Sequence, residues 1–201
     1  MHISEGVLSA PVLISGGVLA AGGTALGLRR LELESIMPTA LLSAAFFVAS
    51  LVHVPLGPGS VHLVLNGLLG LTLGWACFPA LLVGLFLQAV FFQFGGLTIL
   101  GVNTVTMAAP ALLCHYLLRT WLDKPSTRPG AAFIAGFLAI LLSSLLTAFA
   151  LALSDHGFIA IAQTMIVAHL PVMIIEGFIT AFIVGFIAKV QPEILQIRNK
   201  S

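Results

Sequence analysis

Residues 130–153 read GAAFIAGFLAILLSSLLTAFALAL, an apolar stretch without a single charged side chain. About 20 such residues are enough to cross the hydrocarbon core of a bilayer as a helix. Only helices and closed barrels satisfy every backbone polar group within lipid, and the sequence has no run of alternating strands. The stretch therefore predicts a membrane-spanning helix within an all-α integral membrane protein.

The composition of the whole chain supports this class. Hydrophobic residues make up 59% of the 201 residues and charged residues only 7%, and the mean hydropathy is +1.14. A soluble domain this apolar would expose large hydrocarbon patches to water. Two cysteines, Cys77 and Cys114, are too few for a disulfide framework, and we expect both to be small buried side chains.

Hydropathy predicts seven transmembrane helices in one transmembrane domain over residues 1–201. The predicted spans are 7–28, 35–53, 61–76, 78–94, 103–122, 130–153 and 160–190. The third and fourth are short and meet at residues 75–79, which predicts a tight helical hairpin there. Glycine and alanine spaced four apart should let helix backbones approach closely, as at Gly16/Ala20, Gly23/Gly27 and Gly70/Gly74.

The basic residues orient this bundle. With seven spans, every lysine and arginine falls on one side of the bilayer, which the positive-inside rule makes the cytoplasm: Arg29, Arg30, Arg119, Lys124, Arg128, Lys189, Arg198 and Lys200. The N-terminus is then outside and the C-terminus cytoplasmic. Residues 1–8 contain no lysine or arginine, so they do not resemble a signal peptide, and we expect Met1 to be the mature terminus.

Met1 and His2 form a chelating pair at that outer terminus. The α-amine of Met1, the backbone nitrogen of His2 and the His2 imidazole can bind one metal ion through two fused rings. This tridentate set leaves one in-plane position open, and planar nitrogen coordination favours Ni(II) or Cu(II) among first-row ions. The prediction requires a fourth donor nearby, since a histidine next to a terminus is more often only solvated.

Two histidines in the next outer connection, His53 and His62, are candidates for that donor. The six-residue leader (residues 1–6) spans at most about 20 Å and can reach either of them. A hydrogen bond at a helix end explains each histidine about as well as metal binding does. We prefer His62, because a helix is predicted to start near Ser60 and would hold it firmly, whereas His53 ends a span.

A second outer segment, residues 91–104, contains few polar groups for a solvated loop. Its Gln93, Thr98 and Asn103 could hydrogen-bond the leader and hold it in place. A buried loop that satisfies its own backbone is an equally good explanation for each of them alone.

Ionisable groups also occur inside the last span, where they are expensive. His169 and Glu176 are seven residues apart and share a helix face, with Pro171 between them. They could move protons, orient the leader, dock a partner subunit or serve as an alternative ligand. His115 and His156 are predicted to be structural or surface residues.

Four segments in order resemble signatures of the NikM/CbiM family, the substrate-capture membrane subunits of energy-coupling-factor nickel and cobalt importers. They are MHISEG (1–6), SVHLVLNG (60–67), FGGLTILGVN (94–103) and the stretch from His169-Leu170-Pro171 to Glu176-Gly177. The resemblance covers nearly the whole chain. Ser4 and Val61 depart from the residues common in the family, which leaves nickel and cobalt both open.

The resemblance implies a seven-helix bundle with the leader inserted into its centre. There the Met1 amine, the His2 amide and imidazole, and His62 would bind Ni(II) or Co(II) as transported substrate. It also implies a transmembrane coupling subunit, ATP-binding cassette ATPase subunits and a small accessory membrane protein as partners in a prokaryotic plasma membrane. The chain lacks a Gly-x-x-x-x-Gly-Lys-Ser/Thr motif, so we expect a transport subunit rather than an enzyme.

Two other functions remain open from the sequence. One is capture of an organic micronutrient, with His2 incidental. The other is a membrane redox subunit in which His115 and His169 ligate haem, although haem ligands should pair across helices at matching depth and these two appear offset. Neither alternative, nor the metal hypothesis, requires nucleic acid as a partner.

Overall fold

The computed structural model describes residues 3–51, 53–56, 59–155, 157 and 159–195. Within these residues the chain folds into seven α-helices and one two-stranded sheet. In chain order they are α1 (Ala10–Arg29), α2 (Ile36–Ala49), β1 (His53–Leu56), β2 (Gly59–His62), α3 (Asn66–Leu73), α4 (Cys77–Phe92), α5 (Leu100–Leu118), α6 (Arg128–Ser154) and α7 (Ile159–Val190). Short 3₁₀ turns occur at Leu33–Ser35, Gly74–Ala76, Arg119–Trp121 and Pro192–Leu195.

Five helical segments in the described residues are long and apolar enough to cross a membrane. They are Ala10–Arg29, Asn66–Phe92, Leu100–Trp121, Arg128–Ser154 and Gln163–Val190, judged by length and composition only. The second of them comprises α3, the 3₁₀ turn Gly74–Ala76 and α4. A sixth apolar helical segment, Leu33–Ala49, is shorter. The chain is therefore a multi-pass helical membrane protein, while the full seven-span arrangement and its orientation stay predictions.

The connection between α2 and α3 differs from the prediction. Instead of a helix starting near Ser60, β1 and β2 pair antiparallel with His53 opposite His62, and the fold is not purely helical. Pro55 disfavours a helix in this connection, because proline has no N–H group to donate. Pairing of the two strands gives their other backbone polar groups hydrogen-bond partners. His62 therefore ends a strand rather than sitting inside a helix start.

The third helix is also shorter than predicted. It begins only at Asn66, after Leu65 adopts a left-handed φ of 55°, and it contains eight residues. At 1.5 Å per residue it is about 12 Å long, less than half of a bilayer core. The segment over 61–76 is thus not a full span, and α3 begins deep inside the bundle.

The predicted hairpin between α3 and α4 agrees with the packing of both helices on α5. Gly70 lies against Ala111, and Gly74 lies against His115 one turn further along α5. The Cys77 sulfur, in contrast, reaches back to the Ala108 carbonyl oxygen at 3.7 Å. The chain therefore reverses direction at Gly74–Ala76, where Gly74 has a positive φ of 53°.

Small residues face inward and large apolar residues face outward. Gly16, Ala20, Gly23 and Gly27 form the buried side of α1, which confirms the predicted close packing there. Both cysteines are free and buried, also as predicted. On the outside of α7, Phe178, Phe182 and Phe186 are 58–77% exposed, as expected of side chains that face lipid.

The two ends of α5 mark the two ends of the bundle. At its C-terminal end, Trp75 donates a hydrogen bond from Nε1 to the Tyr116 hydroxyl at 2.8 Å. The Arg30 guanidinium lies 5.1 Å from the centre of the Trp75 ring. Trp and Tyr are enriched at both membrane interfaces, so Trp75 and Tyr116 mark one end of the bundle. The leader contacts the opposite, N-terminal end of α5.

Candidate metal site

Asn103, in the first turn of α5, holds the described part of the leader. The Ile3 amide donates to Asn103 Oδ1 at 3.1 Å, and Asn103 Nδ2 donates to the Ile3 carbonyl oxygen at 3.3 Å. Ile3 is fully buried and belongs to the hydrophobic core. Met1 and His2 lie outside the described residues, but the residue that follows them is held by both of its backbone polar groups.

A second contact holds the leader two residues later. Glu5 Oε1 accepts hydrogen bonds from the Thr98 amide at 3.0 Å and from the Thr98 hydroxyl at 3.2 Å. The Glu5 amide donates to the Gly95 carbonyl oxygen at 3.2 Å. The Thr98 amide and hydroxyl hold the pKa of Glu5 below its usual value, because they stabilise the carboxylate.

Gly96 makes room for this contact. Its φ is +139°, and a Cβ built on it would overlap the Glu5 side chain. Glycine is the residue that tolerates both the backbone angle and the close approach. Glu5 was not predicted from the sequence to make this contact. It could have been suspected, because it is the one carboxylate in residues 1–6 and residues 91–104 contain no charged side chain.

Of the three preferred ligands Met1, His2 and His62, His62 lies within the described residues. It is 3% exposed, and its Nδ1 lies 2.7 Å from the Leu63 carbonyl oxygen. Since a carbonyl oxygen only accepts, Nδ1 carries the proton and Nε2 carries the lone pair. A histidine held in this tautomer presents Nε2 as a metal donor.

His169 and Glu176 both lie against the segment that includes His62. Both are fully buried. His169 Nδ1 donates to the Met165 carbonyl oxygen at 2.6 Å, and α7 packs on β2, the strand that ends at His62. The Glu176 carboxyl group accepts hydrogen bonds from the amides of Val64 and Leu65.

The remaining candidates lie further from the leader or contact it less. His53 is described only through its backbone, which pairs with that of His62. Gln93 is exposed and has a left-handed φ of 57°, and its side chain makes no hydrogen bond with residues 3–6. His115 Nδ1 donates to the Gly70 carbonyl oxygen at 3.0 Å, a structural role as predicted. His156 lies outside the described residues.

The side chains of the described residues do not form a complete metal site by themselves. Within them, no three side chains of histidine, cysteine, aspartate or glutamate converge on a point where they could hold a metal. A metal site built on His62 therefore needs donors from another part of the chain.

Comparison with known proteins gives consistent results. The family model described as the CbiM cobalt uptake substrate-specific transmembrane region matches residues 2–194. A relative from Haemophilus influenzae, named as a metal transport protein, is 45% identical over 97% of both chains. A relative from Archaeoglobus fulgidus, named as a fused nickel transport protein NikMN, is 31% identical over 98% of this chain and 68% of its own length.

A solved structure has the same fold. The crystal structure of a transition metal transporter superposes with a TM-score of 0.83 at 28% sequence identity. The alignment covers 94% of this chain and 93% of the other. Sequence and fold therefore agree over almost the full length.

Proposed function

Because the chain belongs to the family of CbiM cobalt uptake substrate-specific transmembrane regions, we propose that it captures Ni(II), or Co(II), at the outer face of a prokaryotic plasma membrane. The metal is bound by four nitrogens in one plane. They are the Met1 α-amine, the His2 amide, the His2 imidazole and His62 Nε2. The leader, held at the N-terminal end of α5, would deliver the first three.

The observation that supports this proposal most directly is the pair of hydrogen bonds between Asn103 and Ile3. Fixing Ile3 anchors the chain directly next to the two residues proposed to form the chelate, so a shorter length of chain has to be ordered when the metal binds. Donors that are fixed before the metal arrives bind it with a smaller loss of conformational entropy.

The donor set determines which ions are favoured. Planar coordination by four nitrogens suits Ni(II), so we propose Ni(II) over Co(II) as the preferred ion. Zn(II) prefers a tetrahedron and should bind poorly. Binding requires a deprotonated amine, a neutral imidazole and loss of the His2 amide proton, so affinity should fall as the pH decreases.

Transport itself requires other subunits. We propose a complex with a transmembrane coupling subunit and ATP-binding cassette ATPases of an energy-coupling-factor importer, with a small accessory membrane protein. ATP hydrolysis by those partners would drive inward release. Uptake of radioactive nickel should then be lost when the partner ATPase carries a substitution that prevents hydrolysis.

The metal site is tested by titration calorimetry of Ni(II) into purified protein with a native N-terminus. Acetylating the Met1 amine, or adding residues before Met1, should abolish tight binding, and so should His2→Ala and His62→Ala. His115→Ala is the matched control, because it removes a partly buried histidine that the site does not use. Unchanged affinity after blocking the amine would reject the proposed site.

A further inference from the structure

We infer that Glu176 is a positioning residue for the metal site, because it holds the backbone that follows His62. The inference rests on the proposed role of His62 as a ligand. Glu176 does not supply a metal donor in this proposal. It acts on the site through the amides of Val64 and Leu65.

The contacts between Glu176 and this segment are specific. Oε1 accepts from the amides of both Val64 and Leu65, the latter at 2.9 Å, and Oε2 also accepts from Leu65 at 3.1 Å. Glu176 and Val64 are fully buried, and Leu65 is 7% exposed. Buried amides without an acceptor are costly, so these two depend on the carboxyl group of α7.

Leu65 also has an unusual backbone conformation. Its φ of 55° is left-handed, which is uncommon for a residue with a branched, bulky side chain. Such a conformation persists only where surrounding contacts hold it. The bonds from Leu65 to Glu176 are contacts of this kind.

The segment between His62 and α3 is short, so its two ends are coupled. At the far end, Asn66 Nδ2 donates to the Met107 carbonyl oxygen at 3.2 Å and to Ser143 Oγ at 2.9 Å. These bonds fix Asn66 to α5 and α6. Glu176 fixes the residues between Asn66 and His62 to α7. Without Glu176, the backbone at Leu65 can relax to an ordinary φ and carry His62 away from its position.

A double-mutant cycle distinguishes positioning of His62 from a general role in folding. Glu176→Leu, His62→Ala and the double variant are prepared as full-length protein with a native N-terminus, and Ni(II) affinity is measured by calorimetry. Removing a residue that orients a ligand typically lowers metal affinity by about 10- to 100-fold. We expect that loss for Glu176→Leu in the wild-type background. In the His62→Ala background we expect no further loss of the weak residual affinity that the other three nitrogens provide.

Two further variants keep the test informative if Glu176→Leu folds poorly. Glu176→Gln retains one acceptor oxygen, so it should recover part of the Ni(II) affinity that Glu176→Leu loses. Thr180→Val is the matched control one turn further along α7. Thr180 is fully buried, and its hydroxyl makes no hydrogen bond within the described part of the chain. Its replacement should leave Ni(II) affinity unchanged.

Cu(II) bound at the site gives a spectroscopic readout, applied to variants that circular dichroism shows to be folded like wild type. Electron paramagnetic resonance should detect one coupled nitrogen fewer in Glu176→Leu than in wild type, the same change as in His62→Ala. Equal losses of affinity from Glu176→Leu in both backgrounds, or a four-nitrogen signal in Glu176→Leu, would overturn the inference. If His62→Ala leaves Ni(II) binding intact, the proposed ligand set itself is wrong.

Discussion

Asn103 forms hydrogen bonds with both backbone polar groups of Ile3, a residue one hundred positions earlier in the chain. The asparagine side chain has a donor and an acceptor in one plane, so it can pair with a peptide unit as a neighbouring strand would. The pairing fixes the direction of the leader as well as its position. It therefore anchors the leader at the N-terminal end of α5.

Replacing Asn103 should weaken metal binding without removing any proposed ligand. Asn103→Leu removes both bonds to Ile3, and we expect a loss of Ni(II) affinity on the order of 10- to 100-fold. Asn103→Asp keeps the acceptor for the Ile3 amide and loses the donor to its carbonyl, so its loss should be smaller. Calorimetry on protein with a native N-terminus measures both.

Thr104→Val is the control for these variants. Thr104 is the next residue and is fully buried, but its hydroxyl donates only to the Leu100 carbonyl oxygen of its own helix. Its replacement should leave Ni(II) affinity unchanged. Equal affinities for Asn103→Leu and wild type would show that the contact with Ile3 does not contribute to the metal site.

The contact between Glu5 and Thr98 should depend on pH. Its hydrogen bonds lower the pKa of Glu5, so they favour the ionised carboxylate. The stabilisation is present above the ordinary glutamate pKa of about 4.3 and is lost as the pH falls through the lowered pKa. Hydrogen exchange of the leader amides in metal-free protein, corrected for intrinsic rates, should show protection disappearing over that acidic range.

Glu5→Gln tests whether this carboxylate is the group responsible. The glutamine side chain does not titrate, so leader protection should be lower than in wild type at neutral pH and nearly constant at acidic pH. A wild-type-like loss of protection in Glu5→Gln would assign the titration to a different group.

Gly96→Ala should detach the leader from the loop before α5. The new Cβ would overlap the Glu5 side chain, and the φ of +139° disfavours any residue other than glycine. Gly6→Ala is a matched control, because Gly6 also has a positive φ, of +79°, but has open space around it. Leader hydrogen exchange should increase more for Gly96→Ala, and equal increases would attribute the effect to backbone strain alone.

Gly70→Ala should destabilise the bundle. The added Cβ would overlap the backbone of Ala111, which cannot move aside as a side chain can. Overpacking of this kind typically costs about 1–3 kcal/mol. Gly17→Ala adds the same methyl group to α1 in open space. A thermal unfolding midpoint in detergent that decreases for Gly70→Ala and stays constant for Gly17→Ala would support the packing described here.

Local patterns in the sequence predict much of the bundle. Apolar stretches predict helices because a span needs an uncharged segment of a minimum length, a property of consecutive residues. Gly16 and Gly23 predict close helix contacts because small residues at helical spacing share a face. The reversal after α3 is likewise predicted from the residues that separate two short spans.

The outer connection shows where such patterns are insufficient. Hydropathy places residues 61–62 at the start of a helix, whereas they end strand β2. Strand pairing depends on the partner segment as much as on a segment's own composition. The left-handed conformation of Leu65 likewise depends on a distant segment, because its amide donates to the Glu176 carboxyl group in α7.

The sequence by itself determined the membrane class of this protein, most of its helices and the residue types that could bind a metal, because these depend on composition and short-range spacing. Only the tertiary structure decided which of those residues meet. Ile3 and Asn103, Glu5 and Thr98, and Leu65 and Glu176 are each distant in sequence. A hydrogen bond acts over about 3 Å, so such pairs form only after the helices have packed.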